Sequence, residues 1–265
     1  MLQIESLHQI FNQGSINEVH ALRGIDLHLP PKQFITVIGS NGAGKSTLFN
    51  VVAGVFSPTR GRIIIDGEDV TEWSEHKRAN LIGRVFQNPL QGTAASMTIA
   101  ENLTLAMLRR HRLGLRIGVS RARRNKLADL LAPLHLGLEE RLDDQVALLS
   151  GGQRQAMTLI MASFSHPKIL LLDEHTAALD PATAHRILDL TSEIVGDQQL
   201  TTLMITHNMQ QALTFGSRTL MLHKGKIVLD IDAEERKGMT VQDLIDKFST
   251  VTPEVLMDDE LLLSV

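Results

Sequence analysis

Phe34-Ile35-Thr36-Val37-Ile38, followed at once by Gly39-Ser40-Asn41-Gly42-Ala43-Gly44-Lys45-Ser46-Thr47, is the stretch that decides the fold. The first five residues form a short, nearly continuous apolar run, which suits a strand buried on both faces of a parallel sheet. The next nine match the phosphate-binding loop in full, and Ser46 to Val52 reads as the helix that should follow. Glycines let the backbone wrap an anion with its N–H groups, and the helix N-terminus adds partial positive charge. Ser40, Asn41, Gly42, Gly44 and Thr47 are therefore candidate phosphate contacts. Lys45 is placed to reach the β- and γ-phosphates, and the Ser46 hydroxyl to ligate Mg²⁺. This loop says only that the chain binds a nucleotide; it separates no kinase from a GTPase, a helicase or a transport motor.

Outward from the loop, the first third of the chain reads as strands. Gly24 to Leu29 alternates apolar and polar residues, and Arg62 to Asp66 runs into a turn at Gly67. From about Pro89 to Leu149 the apolar residues recur at helical spacing, as in a helical subdomain inserted into an α/β core. The α/β pattern then returns, with a buried strand at Ile169 to Asp173, a helix around Ala182 to Val195 and a strand at Thr202 to Thr206. Arg218 to Leu222 and Lys226 to Leu229 read as a hairpin turning at Lys224-Gly225. The expected division is an ATPase domain at 1–232, with the helical subdomain at about 89–155, and a C-terminal helix and tail at 233–265.

Composition narrows the function classes. The chain has 265 residues, 43% of them hydrophobic, which allows one large α/β domain with a real core. It has no cysteine, so neither a disulfide framework nor thiolate chemistry is expected, in keeping with a reducing cytoplasm. Met1 to Phe11 carries Glu5 and lacks a basic start before an apolar stretch, so it is not read as a signal peptide. No run of about 18 apolar residues exists to span a bilayer. The net charge of −4 is mild and argues neither for nor against a nucleic-acid partner. A basic run from Arg109 to Lys126, including Arg110, Arg112, Arg116, Arg121, Arg123 and Arg124, has no interleaved aromatics. It reads as a solvated helix face, with nucleic-acid contact as an alternative.

Two further elements carry chemistry. In Ile169-Leu170-Leu171-Leu172-Asp173-Glu174, the Asp at the end of a buried strand is positioned to hold Mg²⁺, and Glu174 to polarise a water as a general base. About 20 residues earlier, Leu149-Ser150-Gly151-Gly152-Gln153 opens a helix. Two glycines at a helix N-terminus make a second anion-binding surface. One chain does not need two for one γ-phosphate. A head-to-tail dimer, in which this surface caps the partner's nucleotide, is the economical explanation. As a bare pentapeptide it also reads as a helix cap, with Ser150 at the N-cap.

With these motifs in this order, the chain resembles the nucleotide-binding subunits of ABC transporters over roughly Leu2 to Leu229. The resemblance implies a phosphate-loop ATPase core with a parallel sheet, an N-terminal antiparallel β subdomain and an inserted helical subdomain. It implies that ATP and Mg²⁺ are bound, that a second copy joins in an ATP-dependent dimer, and that a separate membrane permease and a solute-binding protein are the other partners. It places the chain on the cytoplasmic face of the membrane, with import of a small solute such as an amino acid favoured. It adds contact with lipid headgroups or acidic permease loops as a further reading of the basic run from Arg109 to Lys126. It assigns Gln87 as the glutamine that touches Mg²⁺ and signals to the permease. Asp180 becomes the aspartate that communicates across the dimer, and His207 the switch histidine on the γ-phosphate. Read alone, Gln87 and His207 are equally ordinary loop residues. Phe11 is the candidate adenine-stacking aromatic, with core packing as its alternative. One departure stands out: His175 follows Glu174 where the family usually has Pro. It is expected at the surface without consequence, the alternative being a place near the dimer interface where it makes activity pH-sensitive. A soluble ABC-type ATPase of a non-transport assembly is the competing function.

Overall fold

The computed structural model describes residues 1–109 and 118–251. Its elements, in chain order, are β1 (Leu2–Phe11), β2 (Val19–Leu29), β3 (Phe34–Ile38), α1 (Lys45–Ala53), β4 (Arg60–Ile65), β5 (Glu68–Asp69), α2 (Glu75–Arg78), β6 (Ile82–Val85), α3 (Ile99–Leu108), α4 (Arg121–Leu131), α5 (Gly151–Ser163), β7 (Ile169–Asp173), α6 (Pro181–Gln198), β8 (Thr201–Ile205), α7 (Met209–Thr214), β9 (Arg218–His223), β10 (Lys226–Ile231) and α8 (Val241–Val251). The described residues form two compact units, one of residues 1–82 with 200–251 and one of residues 83–109 with 118–199.

In the first unit, β2, β1, β4 and β5 lie side by side in an antiparallel sheet. The alternation seen from Gly24 to Leu29 is its cause: Ile25, Leu27 and Leu29 are buried while Asp26 and His28 face water. The other sheet contributes β10, β9, β3 and β8, with β3 parallel to both β8 and β9. Ile35, Val37 and Ile38 are fully or almost fully buried, as their nearly continuous apolar run requires. The parallel register pairs Val37 with Ile205 and Ile38 with Met221. The loop after β3 and the segment after β8 therefore both leave at the carboxyl ends of their parallel strands, the end at which open α/β sheets bind ligands. The β9–β10 hairpin turns at Lys224 and Gly225, both left-handed. Gly225 donates its N–H to the Ala43 carbonyl and accepts from the Arg23 N–H, which ties the turn to the phosphate loop and to β2. Leu244 and Phe248 of α8 join a core with Ile38, Met209 and Met221.

The second unit holds the helical segment. Ile99, Leu103, Leu127, Leu131, Val146, Met157 and Ile160 share one apolar cluster, so the helical spacing seen in the sequence is the spacing of a common core. Strands β6 and β7 are neighbours there. Of the basic run, Arg110, Arg112 and Arg116 lie outside the described residues. Arg121 and Lys126 are exposed on α4, whereas both Arg124 end nitrogens are paired with the Asp143 carboxylate at 2.5 and 2.6 Å. Of the C-terminal tail expected within 233–265, residues 252–265, with Asp258, Asp259 and Glu260, also lie outside the described residues. Among the described residues no helix is long and apolar enough to cross a membrane.

Candidate functional site

In the first unit the phosphate loop is built as its residues dictate. Gly39 has φ 148°, and a Cβ there would come within 2.2 Å of the Leu222 carbonyl oxygen, so only glycine fits beside β9. Gly44, left-handed at φ 103°, occupies the N-cap of α1 and supplies no side-chain cap. The first turn of α1 therefore relies on other acceptors for its N–H groups, which suits an anion. Lys45 is 5% exposed, and its Nζ donates to the Gly39 carbonyl at 2.6 Å and the Ser40 carbonyl at 3.1 Å. Its ammonium is drawn onto the loop, which has no acidic side chain of its own. Asn41, Gly42 and Ser46 are exposed, and Ser40 and Thr47 half-buried.

His207 follows β8 and is half-buried. Its neighbours are fixed by a local network: Asn208 N–H donates to Thr206 Oγ1, Thr206 Oγ1 bonds Gln211 Oε1 at 2.8 Å, and Asn208 Oδ1 caps α7 by accepting from Gln211 N–H. Phe11, at the end of β1, meets Phe56 edge to face with ring centroids 5.3 Å apart. Phe11 is half-buried, so one flank of the ring is packed and part of it is open.

In the second unit, Asp173 ends β7 and Glu174 follows with φ 45°, an uncommon backbone state for a carboxylate residue and one that redirects the chain as the strand ends. Asp173 Oδ2 accepts from Arg84 Nη2 at 3.1 Å, a partly buried ion pair. Gln87 is exposed just beyond β6. Gln155 of α5 donates through Nε2 to the Phe86 carbonyl at 3.3 Å, which ties the segment before Gln87 to the helix that the Ser150–Gln153 motif opens.

That motif forms a full capping box. Ser150 Oγ accepts from Gln153 N–H at 3.2 Å, and Gln153 Oε1 accepts from Ser150 N–H at 3.1 Å. Gln153 Nε2 also holds the Leu136 carbonyl at 3.1 Å. Gly151 is exposed, whereas Gly152 is buried against Thr183 of α6. A Cβ on Gly152 would lie 2.2 Å from Thr183 Cγ2, so Thr183 would have to move. A cavity of about 280 Å³ opens here, lined by His135, Ser150, Gly152, Gln153, Thr183 and Arg186 among others. Asp180 caps α6, accepting from Thr183 N–H at 3.1 Å; the Thr183 hydroxyl, followed by its N–H, holds the Asp180 pKa below the usual carboxylate range. His175 is not at the surface. It is 2% exposed, its Nε2 lies 3.0 Å from Thr191 Oγ1 in α6, and burial pushes its pKa down to about 4. An imidazole that packs among buried side chains takes the place an apolar residue would fill, which the neighbouring acid in sequence does not reveal.

Thus the structure gathers Phe11, Ser40 to Thr47 and His207 in the first unit, and Gln87, Ser150 to Gln153, Asp173, Glu174 and Asp180 in the second. Arg84 escaped the sequence reading. Its one signal is a charged residue inside the apolar run Ile82-Gly83-Arg84-Val85.

Comparison with known proteins decides the family. Residues 22–177 match the family described as ABC transporter. The chain is 44% identical over 250 residues to the tyrosine transport ATP-binding protein of Clostridioides difficile, covering 94% of this chain and 98% of that protein. The chain belongs to the ABC transporter ATP-binding family. This ATP-binding subunit is an ATPase, as its family is. It is also 38% identical over 232 residues to the methionine import ATP-binding protein of Vibrio cholerae, covering 86% of this chain but 64% of that protein. The chain thus spans just under two thirds of the length of the methionine import relatives. A solved ATP-binding cassette, dimeric and bound to ADP and phosphate in a post-hydrolysis state, superimposes with a TM-score of 0.76 at 26% identity, over 88% of this chain and 99% of that one. The ADP conformation of another cassette of an ABC transporter gives 0.75 at 25% identity, over 94% and 98%. The α/β fold with its parallel strands, antiparallel sheet and helices is that of these cassettes.

Proposed function

We propose that this subunit powers import of a small solute of the amino-acid class through a separate membrane permease, working as an ATP-dependent dimer with a solute-binding protein on the far side. The observation that carries the reading is the near-full-length, 44% identity with a protein named for tyrosine transport. The subunit would then act at the cytoplasmic face of the membrane, on the permease.

The residues present suit Mg²⁺. Ser46 hydroxyl, Asp173 carboxylate and Gln87 amide offer hard oxygen donors, which this ion prefers. Among the described residues no group of three or more His, Asp or Glu side chains gathers as a metal site, so the nucleotide's phosphates would complete the coordination. Held by these oxygens, the ion would supply neutralisation of the phosphate charge. Lys45 and the N–H groups of Ser40 to Thr47 bind and orient the phosphates, and Phe11 stacks on the adenine. Glu174 accepts the proton of the attacking water, while His207 donates to the γ-phosphate. Ser150, Gly151, Gly152 and Gln153 of the second copy present the N-terminus of α5 to the same phosphate, and Asp180 links the two sites. Gln87 carries the change to the permease.

Glu174→Gln tests the assignment that matters most. It keeps size and hydrogen-bonding reach but accepts no proton. Turnover should fall by roughly two to four orders of magnitude, as expected for a lost general base, while ATP binding survives. A dimer should then accumulate with ATP in size-exclusion chromatography, and adding Ser150→Arg should dissolve it. Wild-type turnover in Glu174→Gln, or no dimer under conditions where ATP is bound, rejects the assignment. Lys45→Ala serves as the binding-deficient control.

A further inference from the structure

Arg84 sits where an apolar side chain would be expected. It lies in β6 with its side chain 12% exposed, against an Asp173 side chain that is 13% exposed. A charge so far removed from water needs compensation, and the carboxylate it meets is the one assigned above to the metal. The contact is a single one, from Nη2 to Oδ2 at 3.1 Å, not the two-pronged fork that guanidinium and carboxylate can make. Arg84 Nε is buried and has no hydrogen-bond partner among the described residues. The guanidinium carbon stands 4.6 Å from the centre of the Phe86 ring, a cation–π contact that does not depend on Asp173. Phe86 in turn directly precedes Gln87 and is held through its carbonyl by Gln155.

We propose that Arg84 is a positioning residue of the metal site, a resident counter-cation that holds Asp173 and competes with the divalent ion for it. The inference rests on the assignment of Asp173 to the metal. One carboxylate cannot be fully neutralised twice: the field of a guanidinium 3.1 Å from Oδ2 lowers the affinity of Asp173 for any second cation. A single hydrogen bond with an unused buried donor is a weaker hold than a fork, so a doubly charged ion arriving with the nucleotide can displace it. The Phe86 ring keeps the guanidinium in place when that happens. Loss of the Asp173 contact is then felt at the backbone just before Gln87. In this arrangement Asp173 stays neutralised without a metal, and the divalent ion enters only together with phosphates.

The experiment titrates the ADP-loaded full chain with Mn²⁺ and follows the free ion by electron paramagnetic resonance, so no turnover is involved. Arg84→Met should tighten Mn²⁺ binding by about ten-fold, equivalent to about 1.4 kcal/mol. Arg84→Gln should do the same and covers the case in which the methionine variant fails to fold. Arg84→Lys retains the charge and should stay near the wild type. Asp173→Asn should weaken Mn²⁺ binding, and in that background Arg84→Met should change nothing. If Asp173→Asn weakens binding but neither neutral Arg84 variant tightens it, the counter-cation role is wrong while the metal assignment stands. If Asp173→Asn leaves Mn²⁺ affinity unchanged, the metal assignment falls and the role of Arg84 with it.

Discussion

At the scale of single residues, His175 shows how burial overrules what a side chain suggests. A histidine beside the proposed general base invites a pH switch. Thr191 already donates its hydroxyl to the Ile187 carbonyl at 2.7 Å, so it accepts from His175, which fixes the proton on Nε2 of a neutral ring. With its pKa pushed down to about 4, the ring stays neutral at physiological pH. The consequence is for stability. Between the ordinary value of 6.5 and about 4, the unfolded chain takes up a proton that the folded chain refuses. This contribution to stability is therefore whole above pH 6.5 and is lost progressively as pH falls towards 4, to the extent of roughly 3 kcal/mol at most. Urea unfolding at pH 7 and pH 5 should show a drop in the wild type that is smaller in His175→Gln. An equal drop in both would remove His175 as its source.

At the scale of elements, the helix behind the phosphate loop is finished by a residue from far along the chain. Arg78 of α2 is fully buried, and its Nη1 donates to the Val51 and Val52 carbonyls at 2.7 and 2.9 Å, in the last turn of α1. Its Nη2 and Nε hold the Thr71 and Trp73 carbonyls. The C-terminal carbonyls of a helix lack intrahelical partners and carry partial negative charge, so a buried guanidinium satisfies both needs. Burial pushes the Arg78 pKa down, yet an arginine remains protonated at any ordinary pH. Arg236 does the same for α7, reaching the Ala212, Leu213 and Phe215 carbonyls from Nη2. Arg78→Met should cost about 3 kcal/mol or more, because several buried carbonyls lose their donor at once. Thermal unfolding should show a fall in midpoint of many degrees; a shift of only a degree or two would mean that water or a neighbour replaces the guanidinium. Nothing in Glu75-His76-Lys77-Arg78 tells this arginine from the lysine before it, since the α1 carbonyls it satisfies are 26 and 27 residues away. By contrast, the Ser150-to-Gln153 box was legible, because both partners lie within one turn.

At the scale of the whole molecule, the prediction concerns assembly. If the anion-binding end of α5 completes the nucleotide site of a second copy, much of the interface is nucleotide. The purified subunit should then be mostly monomeric without nucleotide and turn over slowly, and ATP should drive association by mass action. Addition of its permease should raise turnover. Analytical ultracentrifugation with and without ATP decides it: a stable nucleotide-free dimer in dilute solution, indifferent to ATP, would refute the scheme.

What the sequence determined by itself is whatever rests on short-range chemistry. A buried strand running into Gly39 to Thr47 allows one local structure, and Ser150 with Gln153 closes its own cap. The nearly continuous apolar run of Ile35 to Ile38 and the helical periodicity between Ile99 and Ile160 dictate what is buried. Only the tertiary structure decided which charges are compensated and by whom. Arg84 with Asp173, Arg78 with the end of α1, Arg124 with Asp143 and His175 with Thr191 are joined across 89, 26 and 27, 19 and 16 residues. A charge or polar group gives no local sign of burial; its environment is made by segments that reach it only when the chain folds, and desolvation then sets what it must bind.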